Sequence, residues 1–150
     1  MKNTARNVAL NFLSRREYAV EELRSKLLSK NFPSEEVEAV IERLMLENLL
    51  SEERFVESFI RAKCEKGYGP LAIKNELFMR KVSEALIEQT FSQMNITWQE
   101  NINKVFEKKF STSDLTDLKE KNRCWRFLSQ RGFTPDQIGQ LIKTLYEVVD

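Results

Sequence analysis

Histidine is absent from the 150 residues, which removes the Ser-His-Asp triad, any His-ligated metal and the imidazole general base in one step. Only two cysteines occur, Cys64 and Cys124, with no Cys-x-x-Cys pair, so a zinc site would need carboxylates alone to complete it. Reduced thiols behaving as small apolar side chains are the expectation, with no metal and no cofactor. Four Gly, three Pro and few β-branched residues stand against many Leu, Glu, Lys and Arg; an all-α chain follows. No apolar run approaches the ~20 residues that cross a bilayer, and the N-terminus lacks an apolar signal segment. A soluble, cytoplasmic monomer with no membrane partner is expected.

What is present is a repeat. The stretch from Tyr18 to Leu44 places Leu23, Leu27, Phe32, Val37 and Ile41 where, fifty residues on, Ile73, Leu77, Val82, Ile87 and Phe91 stand, and the same shift carries Tyr18 to Tyr68. Shifted by 101, Phe32, Val37, Val40, Ile41 and Leu44 become Phe133, Ile138, Leu141, Ile142 and Leu145. Three copies follow, at 1–50, 51–96 and 97–150, each of three helices and each too small to stand confidently alone.

Capping chemistry places the helices. Ala5, Val8, Ala9, Phe12 and Leu13 form the inner stripe of the first, Leu23, Leu27 and Leu28 that of the second, and Val37, Val40, Ile41 and Leu44 that of the third. Ser51 before Glu52 and Glu53 reads as an N-cap, and Phe55, Phe59 and Ile60 as the buried face beyond it. Thr97 with Glu100, and Thr134 with Gln137 around Pro135, have capping-box spacing. A link at Ser111 to Asp114 separates the first two helices of the third copy. Gly67-Tyr68-Gly69-Pro70 lacks the preceding strand of a phosphate loop, so it reads as a helix-to-helix turn. Glu52 and Glu53 face different directions on a helix and make no acid/base pair, and no enzyme is expected.

Net charge is only +1, but it is segregated. Residues 54–81 carry seven Lys or Arg against three Glu, and residues 101–131 eight against four acids; each stretch is +4. Residues 82–100 carry three Glu and no base, and 132–150 one Lys against three acids. Stacked repeats would turn this pattern into an elongated curved rod with one basic and one acidic face, suited to phosphates or to an acidic protein surface. The bland alternative is that the charges only solvate helix exteriors. Tyr18 beside Arg15 and Arg16, Tyr68 beside Lys66, and Trp125 between Arg123 and Arg126 are aromatic anchors by this reading. Trp125 in the core is the competing one.

These motifs also resemble a family. Phe12-Leu13-Ser14-Arg15-Arg16-Glu17-Tyr18, then Glu22-Leu23, Lys26-Leu27, Arg54-Phe55, Gly67-Tyr68-Gly69-Pro70 with Ile73 and Glu76-Leu77, and Phe127 through Phe133, are similar to the bacterial RecX regulatory proteins over nearly the whole chain. Ala19 stands where the family pattern has Ser, and Ser51-Glu52-Glu53 replaces a pair of Asp. The resemblance implies tandem three-helix repeats and a non-enzymatic partner of the RecA recombinase filament, dampening recombination, repair and the SOS response. Arg15, Arg16, Tyr18, Tyr68 and Arg131 lie in matching motifs, and Arg61, Lys66, Lys74, Arg123 and Arg126 join them on charge alone; together they are the candidate contacts to RecA or to single- or double-stranded DNA. Tyr18 and Tyr68 as turn-packing residues, and Arg131 as a partner for helix-end carbonyls, are the structural alternatives. A stand-alone DNA-binding module is the alternative function.

Overall fold

The computed structural model describes residues 3–147; Asp150, counted above in the acidic C-terminal stretch, lies outside them, as do the outer limits of the first and third copies. Nine helices occur among the described residues: α1 (Ala5–Leu13), α2 (Val20–Ser29), α3 (Ser34–Leu46), α4 (Glu52–Glu65), α5 (Pro70–Met79), α6 (Glu84–Met94), α7 (Trp98–Phe110), α8 (Leu118–Gln130) and α9 (Pro135–Glu147). They form three three-helix repeats. None is long and apolar enough to cross a membrane.

Compactness groups the chain differently from the repeats. One unit joins Met1–Phe59 with Leu77–Ser92, and the other joins Ile60–Glu76 with Gln93–Asp150. All three limits fall inside helices of the second repeat, in α4, α5 and α6. The first unit closes around Ala9, Tyr18, Leu23, Leu27, Val37, Ile41, Leu44 and Leu50. The second closes around Ile102, Phe106, Phe110, Leu128, Phe133 and Ile138, among others. Cys124 is fully buried in that second core, and burial pushes its thiol up to about 11.

Local signals decide the helix ends. Thr4 is extended at ψ 161° and its hydroxyl accepts from Asn7 N–H at 3.1 Å; Ser51 accepts from Arg54 N–H at 3.2 Å. The box at Thr134 forms in full, with Thr134 N–H on Gln137 Oε1 at 2.9 Å and Gln137 N–H on Thr134 Oγ1 at 3.1 Å. The box expected at Thr97 does not form. Thr97 has ψ 82°, short of the extended value that holds a hydroxyl over the first turn, and it makes no side-chain cap bond. The link in the third repeat also runs further than Asp114, because Asp117 caps α8 by accepting from Lys119 N–H at 2.9 Å. Leu28, expected inward, is 42% exposed, because Leu23 and Leu27 already fill the inner stripe of α2 and Leu28 is turned about 100° from Leu27.

The residue that ends the middle helix of each repeat is left-handed in all three copies: Asn31 (φ 69°), Lys81 (φ 65°) and Gly132 (φ 97°). Asn tolerates this conformation and Gly prefers it, but Lys has neither excuse. Lys81→Gly should therefore raise thermal stability, by up to ~1 kcal/mol; an unchanged or lowered melting temperature in calorimetry would show that the strain is not felt.

Gly69 and Gly132 carry a different constraint, since a Cβ on Gly69 would lie 2.4 Å from Phe133 N and one on Gly132 would lie 2.4 Å from Ala72 Cβ. Backbone meets backbone there. Gly69 N–H donates to Arg131 C=O at 2.7 Å and Leu71 N–H to Gly132 C=O at 2.9 Å, so the α4–α5 turn docks on the α8–α9 turn. Gly139, within α9, has open space where its Cβ would be. Gly69→Ala should cost about 2 kcal/mol or more through overpacking, whereas Gly139→Ala should stabilise by ~0.5–1 kcal/mol. Chemical denaturation of the pair reads this contrast directly, and similar effects of the two would refute the close-approach account.

Candidate interaction site

The sequence-predicted positions fall into two sets, one in each compact unit. In the first unit, Arg15 and Arg16 are exposed on the α1–α2 turn, whereas Tyr18 is only 5% exposed. Tyr18 packs against Phe12 with ring centroids 5.7 Å apart, and the Arg16 guanidinium lies 3.7 Å from its ring centroid. Its placement is that of a turn-packing residue.

Arg16 itself is engaged. Its Nη1 and Nη2 donate to the two oxygens of Glu22 at 3.1 and 2.9 Å, and Arg80 Nη1 donates to Glu22 Oε2 at 2.9 Å. Glu22 also accepts from Ala19 N–H at 3.4 Å, which supplies half of the cap that the missing Ser would complete. The neighbouring Val20 N–H finds Glu52 Oε1 at 2.9 Å. Arg54 binds Glu17 Oε1 at 3.1 Å and the Asn48 carbonyl at 2.9 Å. Burial opposes the Glu22 charge, but the Arg16 hydrogen bonds and charge, the Ala19 amide and Arg80 outweigh it and hold its carboxyl below the ordinary 4.5. The same contact holds the Arg16 guanidinium above its ordinary value.

In the second unit the structure gathers Arg61, Lys66 and Arg131 on the wall of one cleft of about 810 Å³. Arg123 and Arg126 line an adjoining groove, which shares Lys109 and Phe127 with the first. Arg131 ends α8, and its Nη1 donates to the Lys66 carbonyl at 3.3 Å, so it does satisfy a helix-end carbonyl, that of α4 and not of its own helix. Its guanidinium also sits 4.9 Å from the Tyr68 ring centroid, with Lys63 Nζ at the same distance. Arg123 donates to Glu120 at 3.2 Å, and Trp125 is 37% exposed on α8, outside the core clusters. Lys74 lies half-buried on α5 and lines neither hollow.

Sequence reasoning missed Lys104, Lys108, Lys109 and Phe127 as site residues, although all line the cleft. Lys104 and Lys108 stand four apart on α7, one face of a helix, and that spacing inside the +4 stretch was the available signal. Cys64 also lines the cleft, and burial raises its thiol above the ordinary range, away from nucleophile chemistry at neutral pH. Among the described residues no group of three or more Cys, Asp or Glu could hold a metal ion.

Because the Glu22 carboxyl titrates below its unfolded value, its contribution to stability is present above pH 4.5 and is lost as pH falls through the folded value. Glu22→Gln should cost ~1–3 kcal/mol at neutral pH and should lose stability less steeply below pH 4.5. Denaturation followed by circular dichroism across pH tests it; parallel acid limbs for the two proteins would count against the network.

Three family models match this chain in order: the RecX first three-helix domain at residues 5–44, the second at 51–90 and the third at 98–142. A regulatory protein RecX of Pseudomonas savastanoi pv. phaseolicola is 40% identical over 137 residues, which is 91% of this chain and 88% of that one. One from Actinobacillus pleuropneumoniae serotype 5b is 38% identical over 143 residues, 95% of this chain and 93% of its own. The crystal structure of RecX from Lactobacillus salivarius has a similar fold, with a TM-score of 0.76, 21% identity and 94% of each chain covered.

Proposed function

The chain belongs to the RecX family of bacterial regulatory proteins, which modulate RecA, and from that premise we propose that it binds the RecA recombinase filament and mainly inhibits it. The observation that carries this reading is the complete series of three RecX domains, in order, over most of the chain. Its action is non-enzymatic and cytoplasmic, and recombination, DNA repair and the SOS response are the processes it dampens. The three repeats, taken at 1–50, 51–96 and 97–150, act as linked binding modules.

Charge supports the reading. Two basic hollows sharing Lys109 and Phe127 suit a partner surface rich in carboxylates or phosphates. Modest contacts made by several linked modules combine through effective concentration, so a filament of repeating subunits is held more firmly than one free subunit. Direct DNA binding without RecA is the alternative, and it predicts affinity that falls steeply with salt.

RecA hydrolysis of ATP on single-stranded DNA, measured while this protein is titrated in, separates the two. Inhibition well below one protein per RecA is expected, and Arg126→Glu, on an exposed position of α8, should weaken it severalfold without changing the melting temperature. Inhibition that sets in only when the DNA is saturated would transfer the function to DNA competition. No inhibition at any ratio would reject the RecA reading.

A further inference from the structure

Exposed lysines and half-buried aliphatic side chains line the larger cleft of the second unit. Arg61, Lys66, Lys104, Lys108, Lys109 and Arg131 line it, with Glu65 as the single lining acid, so six cations less one carboxylate leave +5. Val105, Ile96 and Met94 add the apolar surface. A concave site bounded by low-dielectric walls focuses such a field, and its occupant is therefore a polyanion. Its walls come from the C-terminal part of α4 and from α7 and α8, with Met94 and Ile96 at and beyond the end of α6.

Two kinds of polyanion compete for that description, and the apolar lining decides between them. Single-stranded nucleic acid needs open aromatic faces on which bases stack. Phe127, the aromatic lining the cleft, has Lys109 Nζ 3.9 Å and Arg131 Cζ 5.2 Å from its ring centroid, and the Phe110 ring meets it at 5.5 Å. Its ring is already in use. Duplex DNA presents phosphates and sugars, which leave Val105, Ile96 and Met94 without an apolar partner. A peptide with several carboxylates and one large apolar side chain satisfies both: the carboxylates meet the cations, and the apolar group packs on the aliphatic side chains, where the unbranched Met94 adapts to its shape.

We propose that this cleft is the docking groove for an acidic peptide segment with an apolar anchor, which deepens, and rests on, the reading that the chain acts by binding a protein partner. The charged lining sets encounter rate and register, and the anchor sets residence time. Lys66, Lys104 and Lys108 are exposed along the lining and can meet an incoming segment, while Lys109 keeps its Nζ over the Phe127 ring. Glu65 disfavours a carboxylate beside it, so the segment carries an uncharged or basic residue at that point.

Fluorescence anisotropy of the full chain with a fluorescein-labelled peptide of alternating Asp and Glu around a central Leu-Phe pair tests this. The same peptide with Ser-Ser at the centre, and labelled oligothymidylate, are run beside it. Binding of the Leu-Phe peptide is expected, with about tenfold loss for the Ser-Ser peptide and about tenfold loss on Lys104→Glu/Lys108→Glu. Lys26→Glu/Lys30→Glu makes the same charge change at the same spacing, on α2 and at the cap that follows it, and should leave affinity unchanged. All four lysines are exposed, and melting temperatures check that both variants fold. Equal losses in the two variants, equal affinity for the Ser-Ser peptide, tighter binding of oligothymidylate, or no peptide binding would each overturn the proposal. Continued inhibition of RecA in any of those cases would leave the regulatory reading standing, and peptide binding at the cleft without RecA inhibition would do the reverse.

Discussion

Two turns meeting backbone to backbone hold the second compact unit in register. Gly69 N–H on Arg131 C=O, and Leu71 N–H on Gly132 C=O, leave no room for a side chain on either glycine. The hydrogen bonds are ordinary in strength; the approach distance is the demanding part. Because Arg131 lies inside this contact, its guanidinium is placed over Tyr68 and against the Lys66 carbonyl, and one wall of the cationic cleft follows from a steric requirement on glycine.

The first unit builds the corresponding junction with charge. Under the repeat shifts of 50 and 51 residues, Arg80 corresponds to Arg131, Lys81 to Gly132, Glu22 to Ala72, Glu17 to Gly67 and Arg54 to Val105. Where Ala72 would touch a Cβ on Gly132, the first unit has Glu22 joined to Arg80; where Val105 Cγ2 lies 3.1 Å from a Cβ built on Gly67, it has Glu17 joined to Arg54. The helix-start amide follows the same logic. Val20 N–H needs Glu52, whereas its counterpart Pro70 has no N–H to satisfy. Each compact unit is thus a junction between successive repeats, which is why the unit limits fall inside α4, α5 and α6. A junction made of partly exposed ion pairs gains little at high salt, and one made of backbone contact is indifferent to it.

How much of this the sequence discloses depends on the range of each interaction. The three-fold spacing of apolar residues gave the repeats, and Thr4, Ser51 and Thr134 gave helix starts, because caps act across three residues. Thr97 has the same letters but a backbone that does not support its cap. Gly69 reads as a source of turn freedom, yet its role is to let Arg131 and Gly132 approach across more than sixty residues of chain, which no local spacing encodes. The Glu22 network likewise needs Arg80, 58 residues away, and Ala19 can lose its Ser only because Glu22 and Glu52 take over its neighbourhood. The cleft was half legible: regional charge marked it, but Lys104, Lys108 and Lys109 are distinguished from other surface lysines only by the helices packed beside them.

Structural employment also determines which basic residues can report on function. Arg16 holds Glu22 and covers Tyr18, and Arg131 joins α8 to the end of α4, so reversing either charge alters a junction before it alters an interface. A loss of activity in such variants would mix the two effects. Arg126 and Lys108 are exposed on helix surfaces, where reversing the charge changes the surface field and leaves buried contacts in place. The family motifs therefore mark residues that keep successive repeats in register, Tyr18 by burial and Gly69 by close approach. The exposed cations of the cleft lie outside those motifs and are assigned to a partner only by the proposal made for it.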